Sequence, residues 1–518
     1  MEARNGQNSG VKTISVVIIL VIFAKLSGLV RDMVVLSLLG TESAEAAAFT
    51  FATLLPRNFL DAAFAAAISA GFIPVFNKYL EQRNREEAFD LARNFITFVA
   101  IVSFLAALLG FLGVRLIAGL YFGADAVGAI PLGAELLRIS IFTMFFTSVA
   151  FALTGLLQSL GGFYIPSIMS LVSNGLILGY LLLFFDGGGV YGLVVAFVLG
   201  SILQVLIFWL PLRKQGFKFR PKLSLKDEGL RQILRLTPMV MLASWLFPIN
   251  GLINGAIAAN YNSAYLVELN AATQIYLVLA GMFILSVTNV MFPKLSKEAA
   301  RGENRAEFSQ TLSGAVSGMA FIIFPMTAGI FLLRTPIVRL IFERGEFTAE
   351  ATQRVSYALG ILTLSIIGYG LVSILSRALY ADHDGKTPMF ITIVAIAINF
   401  AVAMIFVNIL GIGGPALAAA ISVNLAGLAM YVAAARKFDI FSKSAALNFG
   451  KMLLAAAIML TALILMQPRV AELHDILEIA LITISGVAIY FVAAWVLKIN
   501  EAKAVRGLIF GRKGTKDE

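Results

Sequence analysis

The basic run Leu212-Arg-Lys-Gln-Gly-Phe-Lys-Phe-Arg-Pro-Lys222 is the longest of its kind in an otherwise apolar chain. Of the 518 residues, 59% are hydrophobic and only 14% are charged, whereas about one-quarter of a soluble domain is charged. A bilayer accepts this composition over every helix surface, but a single soluble domain does not build a core large enough to bury it. The sequence therefore predicts an all-α polytopic membrane protein.

Apolar runs of about 20 residues, the length that crosses a bilayer as a helix, lie on both sides of this basic run. Six precede it and eight follow it, which predicts about 14 transmembrane helices. The first run carries charges and has no small-residue cleavage site, so we interpret it as a membrane helix and not as a signal peptide. The predicted spans are approximately 13–39, 46–75, 90–113, 132–157, 163–184, 189–212, 233–259, 267–292, 309–332, 352–380, 386–409, 412–435, 447–466 and 474–497.

Lysine and arginine residues are distributed unevenly over the loops between these spans. With a cytoplasmic N-terminus, 30 of the 40 fall on the inner side, six on the outer side and four within spans. Because basic residues favour the cytoplasmic side, this bias predicts a multi-pass plasma-membrane protein with both termini in the cytoplasm.

The spans also suggest an internal repeat. The segment Phe72-Ile-Pro-Val-Phe-Asn-Lys78 after the second span resembles Met291-Phe-Pro-Lys-Leu-Ser-Lys297 after the eighth. Corresponding spans are six apart, an even number, so the two repeats run parallel, as in two-lobed transporters. The predicted regions are an N-lobe (1–212), a basic cytoplasmic linker (213–232), a C-lobe (233–437), two final helices (438–497) and a basic cytoplasmic tail (498–518).

Composition excludes several other classes of protein. The net charge of +10 comes from basic residues that flank the apolar spans. There they set topology and contact anionic lipid headgroups, so we expect no nucleic-acid partner. The chain has no cysteine and no Walker-type phosphate loop, which excludes thiolate chemistry and disfavours ATP hydrolysis. His383 and His474 lie on opposite predicted sides and cannot share a metal. We expect no cofactor and no enzymatic activity.

Charged residues inside the first two spans are the strongest candidates for function. Each costs about 2.5–3.5 kcal/mol to insert and by default faces a cavity. Lys25, Arg31 and Asp32 lie in the first span, where Lys25 and Asp32 share one face with Gly28. The second span adds one cation and one carboxylate, Arg57 and Asp61.

Two interpretations of these charges remain open. Lys25 could extend to the membrane surface, while Arg31 with Asp32 and Arg57 with Asp61 form structural ion pairs. Alternatively, three cations against two carboxylates leave a positive surplus that suits a phosphate group, and this is the interpretation we prefer. Amide residues in later spans offer either oxygen ligands for Na⁺ or packing contacts, with packing favoured: Asn250, Asn254, Asn399 and Asn424.

Several motifs resemble the MurJ (MviN) family of lipid II flippases in the multidrug/oligosaccharidyl-lipid/polysaccharide (MOP) exporter superfamily. The resemblance covers nearly the whole chain. Its most specific segments are Gly28-Leu-Val-Arg-Asp32, Phe64 to Phe76, Val290 to Lys297, Pro336 to Phe347 and Arg377 to Pro388.

This resemblance implies a V-shaped transporter of two six-helix lobes, with a cationic central cavity and two last helices forming a groove for the lipid tail. It places Lys25, Arg31, Asp32 and Arg57 among the substrate-handling charges, with Lys25 replacing the usual arginine. Two departures stand out: Arg57 lacks a second adjacent arginine, and Gln274 occupies a position where the family usually has one. A weaker site, compensation by Arg138 or a different lipid-linked substrate would each follow from these losses.

The leading hypothesis is therefore a flippase of the bacterial inner membrane that moves undecaprenyl-pyrophosphate-linked peptidoglycan precursor outward by alternating access, for cell-wall biogenesis and cell shape. A membrane potential or a Na⁺ or H⁺ gradient would drive it. Alternatives are an exporter of another polyprenyl-linked polysaccharide or of drugs on the same fold, and a non-transporting membrane scaffold for cell-wall synthesis enzymes.

Overall fold

A computed structural model describes residues 2–122, 128–301, 305–382, 384–440 and 442–503. The described residues form twenty α-helices, most of them joined by short turns and α10 joined to α11 by a longer loop. In chain order they are α1 (Glu2–Leu39), α2 (Ala44–Ala67), α3 (Ile73–Gln82), α4 (Arg85–Leu112), α5 (Val114–Tyr121), α6 (Ala129–Ser140), α7 (Thr143–Ser159), α8 (Tyr164–Leu183), α9 (Phe185–Leu206), α10 (Trp209–Lys214), α11 (Glu228–Ser244), α12 (Leu246–Tyr261), α13 (Ser263–Arg301), α14 (Arg305–Phe342), α15 (Ala349–Thr363), α16 (Ile366–Ala381), α17 (Lys386–Leu410), α18 (Gly413–Phe438), α19 (Lys443–Val470) and α20 (Asp475–Val496).

Every predicted span falls on helix. Ten helical segments of the described chain are long and apolar enough to cross a membrane, and the bent pair α15 and α16 makes an eleventh. The other three predicted spans, 13–39, 46–75 and 233–259, coincide with α1, with α2 and its continuation, and with α11 and α12. The prediction of an all-α polytopic membrane protein is confirmed.

Several spans predicted as single helices are broken, and proline explains two of the breaks. Between α2 and α3 the chain forms a π-helical turn, Ile68–Phe72, two residues before Pro74. Between α11 and α12 the break follows Ser244, the residue whose carbonyl would have accepted the missing N–H of Pro248. Proline removes one backbone hydrogen bond and its ring crowds the preceding turn, so a helix ends or loosens there.

The chain forms two compact units. The first comprises Met1–Ala271 with Arg344–Phe347, and the second comprises Ala272–Glu343 with Thr348–Glu518. The first unit thus includes the seventh predicted span. The division into lobes at 213–232, which rests on the sequence repeat, stays a prediction.

Aromatic packing organises the core of the first unit around the π-helical turn. Phe72 is fully buried and stacks on Phe76 at 5.3 Å and on Phe95 at 4.6 Å between ring centroids. Stacked aromatic pairs add about 0.5–1.5 kcal/mol beyond their buried area. This cluster therefore fixes α3 and α4 against the end of α2.

Close backbone approach organises part of the second unit. A Cβ atom on Gly368 of α16 would lie 2.6 Å from the Cα of Asn424 in α18, and one on Gly427 would lie 3.0 Å from the Cα of Gly368. Small residues at such a crossing let two membrane helices touch backbone to backbone. Larger side chains at these two positions would force α16 and α18 apart.

Candidate functional site

The charged face of the first helix is built around Arg31. Its Nε and Nη2 atoms donate to Oδ1 of Asp32 at 2.9 and 2.7 Å, and its Nη1 donates to Oδ1 of Asn174 in α8 at 2.9 Å. Adjacent residues on a helix normally face different directions. The long arginine side chain nevertheless reaches its neighbour, so the predicted alternative of an Arg31–Asp32 ion pair describes what forms.

Helices α8 and α9 complete the surroundings of Arg31. Its guanidinium carbon lies 5.1 Å from the centre of the Phe197 ring, and Phe197 meets Phe49 edge-on at 5.4 Å. Arg31 is only 9% exposed. A buried cation must be paired and hydrogen-bonded to be tolerated, and this one is held by a carboxylate, an amide and a ring face.

Asn174 also fixes the polar turn of α1 that precedes Arg31. Its Nδ2 atom donates to Oγ of Ser27 at 2.9 Å, and that hydroxyl donates to the carbonyl of Ala24 at 2.8 Å. A Cβ atom on Gly28 would lie 3.5 Å from the same Nδ2 atom. The glycine predicted to thin this face thus leaves room for the asparagine side chain of α8.

The other predicted cations lie in more open positions. Lys25 is half-buried in α1, and six residues along a helix separate it from Arg31 by about 9 Å. Arg57 follows Pro56 in α2 and is exposed, as is Arg138 in the last turn of α6. Gln274 is half-buried in α13 and belongs to the second unit. The side chain of Asp61 lies outside the described residues.

Two of the asparagines proposed as cation ligands, Asn399 and Asn424, make hydrogen bonds typical of helix packing. Asn424 accepts from the backbone N–H of Gly368 and donates to the carbonyl of Leu364, both at 2.9 Å. Asn399 donates to Ser422 of the neighbouring helix at 3.4 Å and is fully buried. Asn254 is buried in α12 of the first unit. A cation site formed by these residues stays a prediction.

The carboxylates of the described residues do not gather as a metal site. Among the described residues, no three histidine, aspartate or glutamate side chains are placed to hold a metal ion. Asp382 and Asp384 both contact Nζ of Lys437, at 2.6 and 3.3 Å. Burial disfavours ionisation of Asp384, but hydrogen bonds from Thr387 and Lys437 outweigh it and lower its pKa below the ordinary value.

An apolar cavity of about 570 Å³ lies within the second unit, between α13, α14, α19 and α20. Its walls are almost entirely hydrocarbon and include Phe283, Met326, Leu463 and Ile482. Gly329 also lines it, and a Cβ atom there would meet nothing within 4 Å. The cavity can therefore accept a chain-like apolar group but offers little to a polar one.

Three features of these sites escaped the sequence analysis. Asn174 and Phe197 lie in apolar spans, where the sequence pattern does not distinguish an amide or an aromatic ring with a special role from an ordinary packing residue. Glu268 in α13 is fully buried and accepts from Oγ1 of Thr41 at 3.1 Å. A carboxylate inside a predicted span was a visible signal, because the cost of burying it is the same as for the charges of α1.

Comparison with known proteins identifies the family. A family model described as lipid II flippase MurJ matches residues 35–485. A probable lipid II flippase MurJ from Vibrio cholerae is 28% identical over 418 residues, which cover 78% of this chain and 79% of that protein. Another from Haemophilus influenzae is 28% identical over 474 residues, covering 87% of this chain and 91% of that protein.

Solved structures agree on the fold. A lipid II flippase MurJ in an inward closed conformation matches with a TM-score of 0.77 and 23% identity, over 95% of this chain and 99% of that one. A multidrug resistance MATE family transporter of the MOP superfamily matches with a TM-score of 0.67 and 17% identity, over 80% of this chain and 94% of that one. The fold is thus that of MOP transporters, and the predicted resemblance is confirmed. The chain belongs to the lipid II flippase MurJ family.

Proposed function

We propose that this protein is a lipid II flippase, which moves an undecaprenyl-pyrophosphate-linked peptidoglycan precursor from the cytoplasmic to the outer leaflet by alternating access. The observation that carries the proposal is the apolar cavity between α13, α14, α19 and α20. A polyprenyl tail is a long, flexible hydrocarbon, and such a wall of apolar side chains suits it without supplying hydrogen bonds that it cannot use. Names of relatives as probable lipid II flippases support the same substrate.

Lys25 and Arg57 are the proposed ligands of the diphosphate. Both are cations in the first two spans, and Lys25 is half-buried while Arg57 is exposed. Arg31 has a different part in this proposal, because its guanidinium is already shared between Asp32 and Asn174. It would position α1 and contribute positive potential, while Lys25 and Arg57 contact the phosphate oxygens.

The proposed driving force is the membrane potential or a Na⁺ or H⁺ gradient. One elementary charge that crosses about 100 mV gains about 2.3 kcal/mol, enough to bias an outward-moving cycle. Both termini lie in the cytoplasm in this proposal, because the basic loops then face inward.

The test is rescue of a bacterium depleted of its own lipid II flippase. Wild-type protein should restore growth and deliver lipid II to the outer leaflet. Lys25→Ala and Arg57→Ala should each reduce delivery at least about tenfold at matched membrane levels, since a charged hydrogen bond to phosphate is worth about 1.5–3 kcal/mol. Arg115→Ala is the matched control, because Arg115 is an exposed cation outside the predicted spans.

Two outcomes would count against parts of the proposal. Full delivery by both Lys25→Ala and Arg57→Ala would rule out the diphosphate site. Failure of correctly inserted wild-type protein would point to a different polyprenyl-linked glycan. In that case Gln274→Arg, which restores the arginine usual in the family, is the informative variant, since gain of lipid II delivery would assign the difference to this one position.

A further inference from the structure

The segment Gly216–Lys226, here called the strap, connects α10 to α11 and is tied to α4 through its backbone. The carbonyl of Lys218 accepts from Nε of Arg93 at 3.0 Å, and the N–H of Lys222 donates to Oγ1 of Thr97 at 3.2 Å. Asn94 forms two hydrogen bonds with the backbone of Ser224: its Nδ2 donates to the carbonyl at 2.9 Å, and its Oδ1 accepts from the N–H at 2.8 Å. A loop with so many backbone bonds to one helix has a defined path.

One aromatic side chain of the strap is directed inward and anchors it. Phe217 is 3% exposed and meets Phe89 of α4 edge-on at 5.5 Å. Gly216, with φ of 82°, adopts the left-handed conformation that lets the chain leave α10 at this point. The anchor and the backbone bonds together decide which strap side chains remain outside.

Those outer side chains are of two kinds. Phe219, Leu223 and Leu225 are 44, 48 and 57% exposed. Four exposed cations alternate with and flank them, Lys218, Arg220, Lys222 and Lys226. Three large apolar side chains that the backbone holds exposed are unfavourable in water. The neighbouring cations make a purely apolar binding partner unfavourable as well.

The position of the strap along α4 indicates what covers it. Thr97, which accepts from the strap, precedes by one helical turn Ile101, the first large exposed apolar side chain of α4. One turn is about 5.4 Å, so the strap lies at the level where α4 passes from polar to hydrocarbon-facing. That is the headgroup layer, where apolar side chains enter the lipid while lysine and arginine remain at the phosphates.

We propose that the strap is a membrane-surface site that binds acidic phospholipid headgroups of the adjacent leaflet. Phe219, Leu223 and Leu225 insert at the boundary between headgroups and acyl chains, and the cations Lys218, Arg220 and Lys226 rest on acidic headgroups. Lys222 contributes less, because it pairs with Asp90 of α4. The site selects the composition of the surrounding lipid and holds the start of α4 at a fixed depth.

The absence of cysteine from the chain permits a direct test with single labels. Leu223→Cys and Glu81→Cys are each labelled with an environment-sensitive fluorophore and reconstituted in vesicles with or without phosphatidylglycerol. Glu81 is the control, since it is exposed at the end of α3 on the same side as the start of α4. We expect lipid-borne quenchers to reach the Leu223 label in phosphatidylglycerol vesicles, while aqueous quenchers reach the Glu81 label in both.

A charge variant tests the acidic-lipid preference separately. Lys218→Gln, Arg220→Gln and Lys226→Gln, combined in the Leu223→Cys background, leave the backbone bonds and the apolar side chains unchanged. Each cation near an acidic surface is worth about fivefold in binding, so the phosphatidylglycerol fraction needed for half-maximal label burial should rise several-fold. High salt should shift the unsubstituted strap in the same direction.

Three results would overturn the proposal. A Leu223 label that stays in water in both bilayers would assign the surface to a water-soluble partner. Equal burial with and without phosphatidylglycerol would reduce the strap to an apolar contact without headgroup selection. An unchanged lipid response in the charge variant would remove the cations from the site. Thermal melting of each labelled protein confirms that the fold is intact.

Discussion

Single residues of α1 occupy two different environments. Arg31 is buried and shared between Asp32, Asn174 and the Phe197 ring, whereas Lys25 is half-buried and lies about 9 Å further along the helix. A buried guanidinium depends on each of its partners, since a donor left without an acceptor costs about 1–3 kcal/mol. The stability of the charged face is therefore set by α8 as much as by α1.

Replacement of Asn174 tests this dependence. Asn174→Leu removes the acceptor of Arg31 Nη1 and the donor to Ser27, so we expect the melting temperature of the purified protein to fall by about 1–3 °C. Gly175→Ala is the matched control, because a Cβ atom there meets nothing within 4 Å. If both variants melt like wild type, Asn174 does not stabilise the buried arginine.

The charges of α1 could be predicted from the sequence, but their partners could not. A charge in an apolar span is visible because it breaks the pattern, and Lys25, Arg31, Asp32 and Arg57 were found in that way. Asn174 is 143 residues from Arg31, and helical periodicity carries no information about which distant helix meets which face. Glu268 breaks its apolar span in the same way, and its partner Thr41 lies 227 residues away in the sequence.

At the scale of helices, the bend between α15 and α16 has a cause that lies in another helix. Leu364 and Gly368 are four residues apart. In a continuous helix the backbone N–H of Gly368 would donate to the carbonyl of Leu364. The Asn424 side chain stands between them, donating to the first carbonyl and accepting from the second amide, both at 2.9 Å. A side chain inserted into the backbone ladder kinks a helix, and this pair is bent by 45°.

Asn424→Leu tests whether the inserted amide creates the bend. With Asn424 removed, the N–H of Gly368 loses its acceptor, and we expect its hydrogen exchange to accelerate at least about fivefold. Asn408→Leu is the control, an exposed asparagine in α17. Unchanged exchange at Gly368 would mean that the helix closes its own bond and that the bend has another origin.

The helices themselves were predictable because hydrocarbon length and composition decide them, and all the predicted spans fall on helix. Breaks at Pro74 and Pro248 have a local signal, since proline removes a backbone donor. The α15–α16 bend has none: the segment contains no proline, and the amide that causes the bend comes 60 residues later in the chain. Bends of this kind follow from tertiary contacts and not from the local pattern.

Over the whole molecule, the candidate charged site and the apolar cavity lie in different units. The charges at Lys25, Arg31 and Asp32 belong to the first unit, and the apolar cavity belongs to the second. A lipid with a diphosphate headgroup and a hydrocarbon tail has the same division of chemistry. If the cavity receives the tail, then filling it should stop transport while every charged residue remains in place.

Gly329→Phe places a bulky side chain in the cavity without an immediate clash at the Cβ position. Gly329 lines the cavity in α14 and has open space at its Cβ position, so a phenyl ring would project into the volume that the tail needs. Gly318→Phe is the matched control, because Gly318 lies in the same helix, has equally open space and does not line the cavity. Both variants should insert and melt similarly.

We expect Gly329→Phe to lose lipid II delivery in the depleted strain and Gly318→Phe to retain it. The physical reason is overlap, since about 570 Å³ of apolar space cannot hold both an added phenyl ring and a polyprenyl chain along the same wall. Equal delivery by the two variants would place the tail elsewhere, in the surrounding bilayer, and the cavity would then be a packing defect between α14 and α20 with no part in transport.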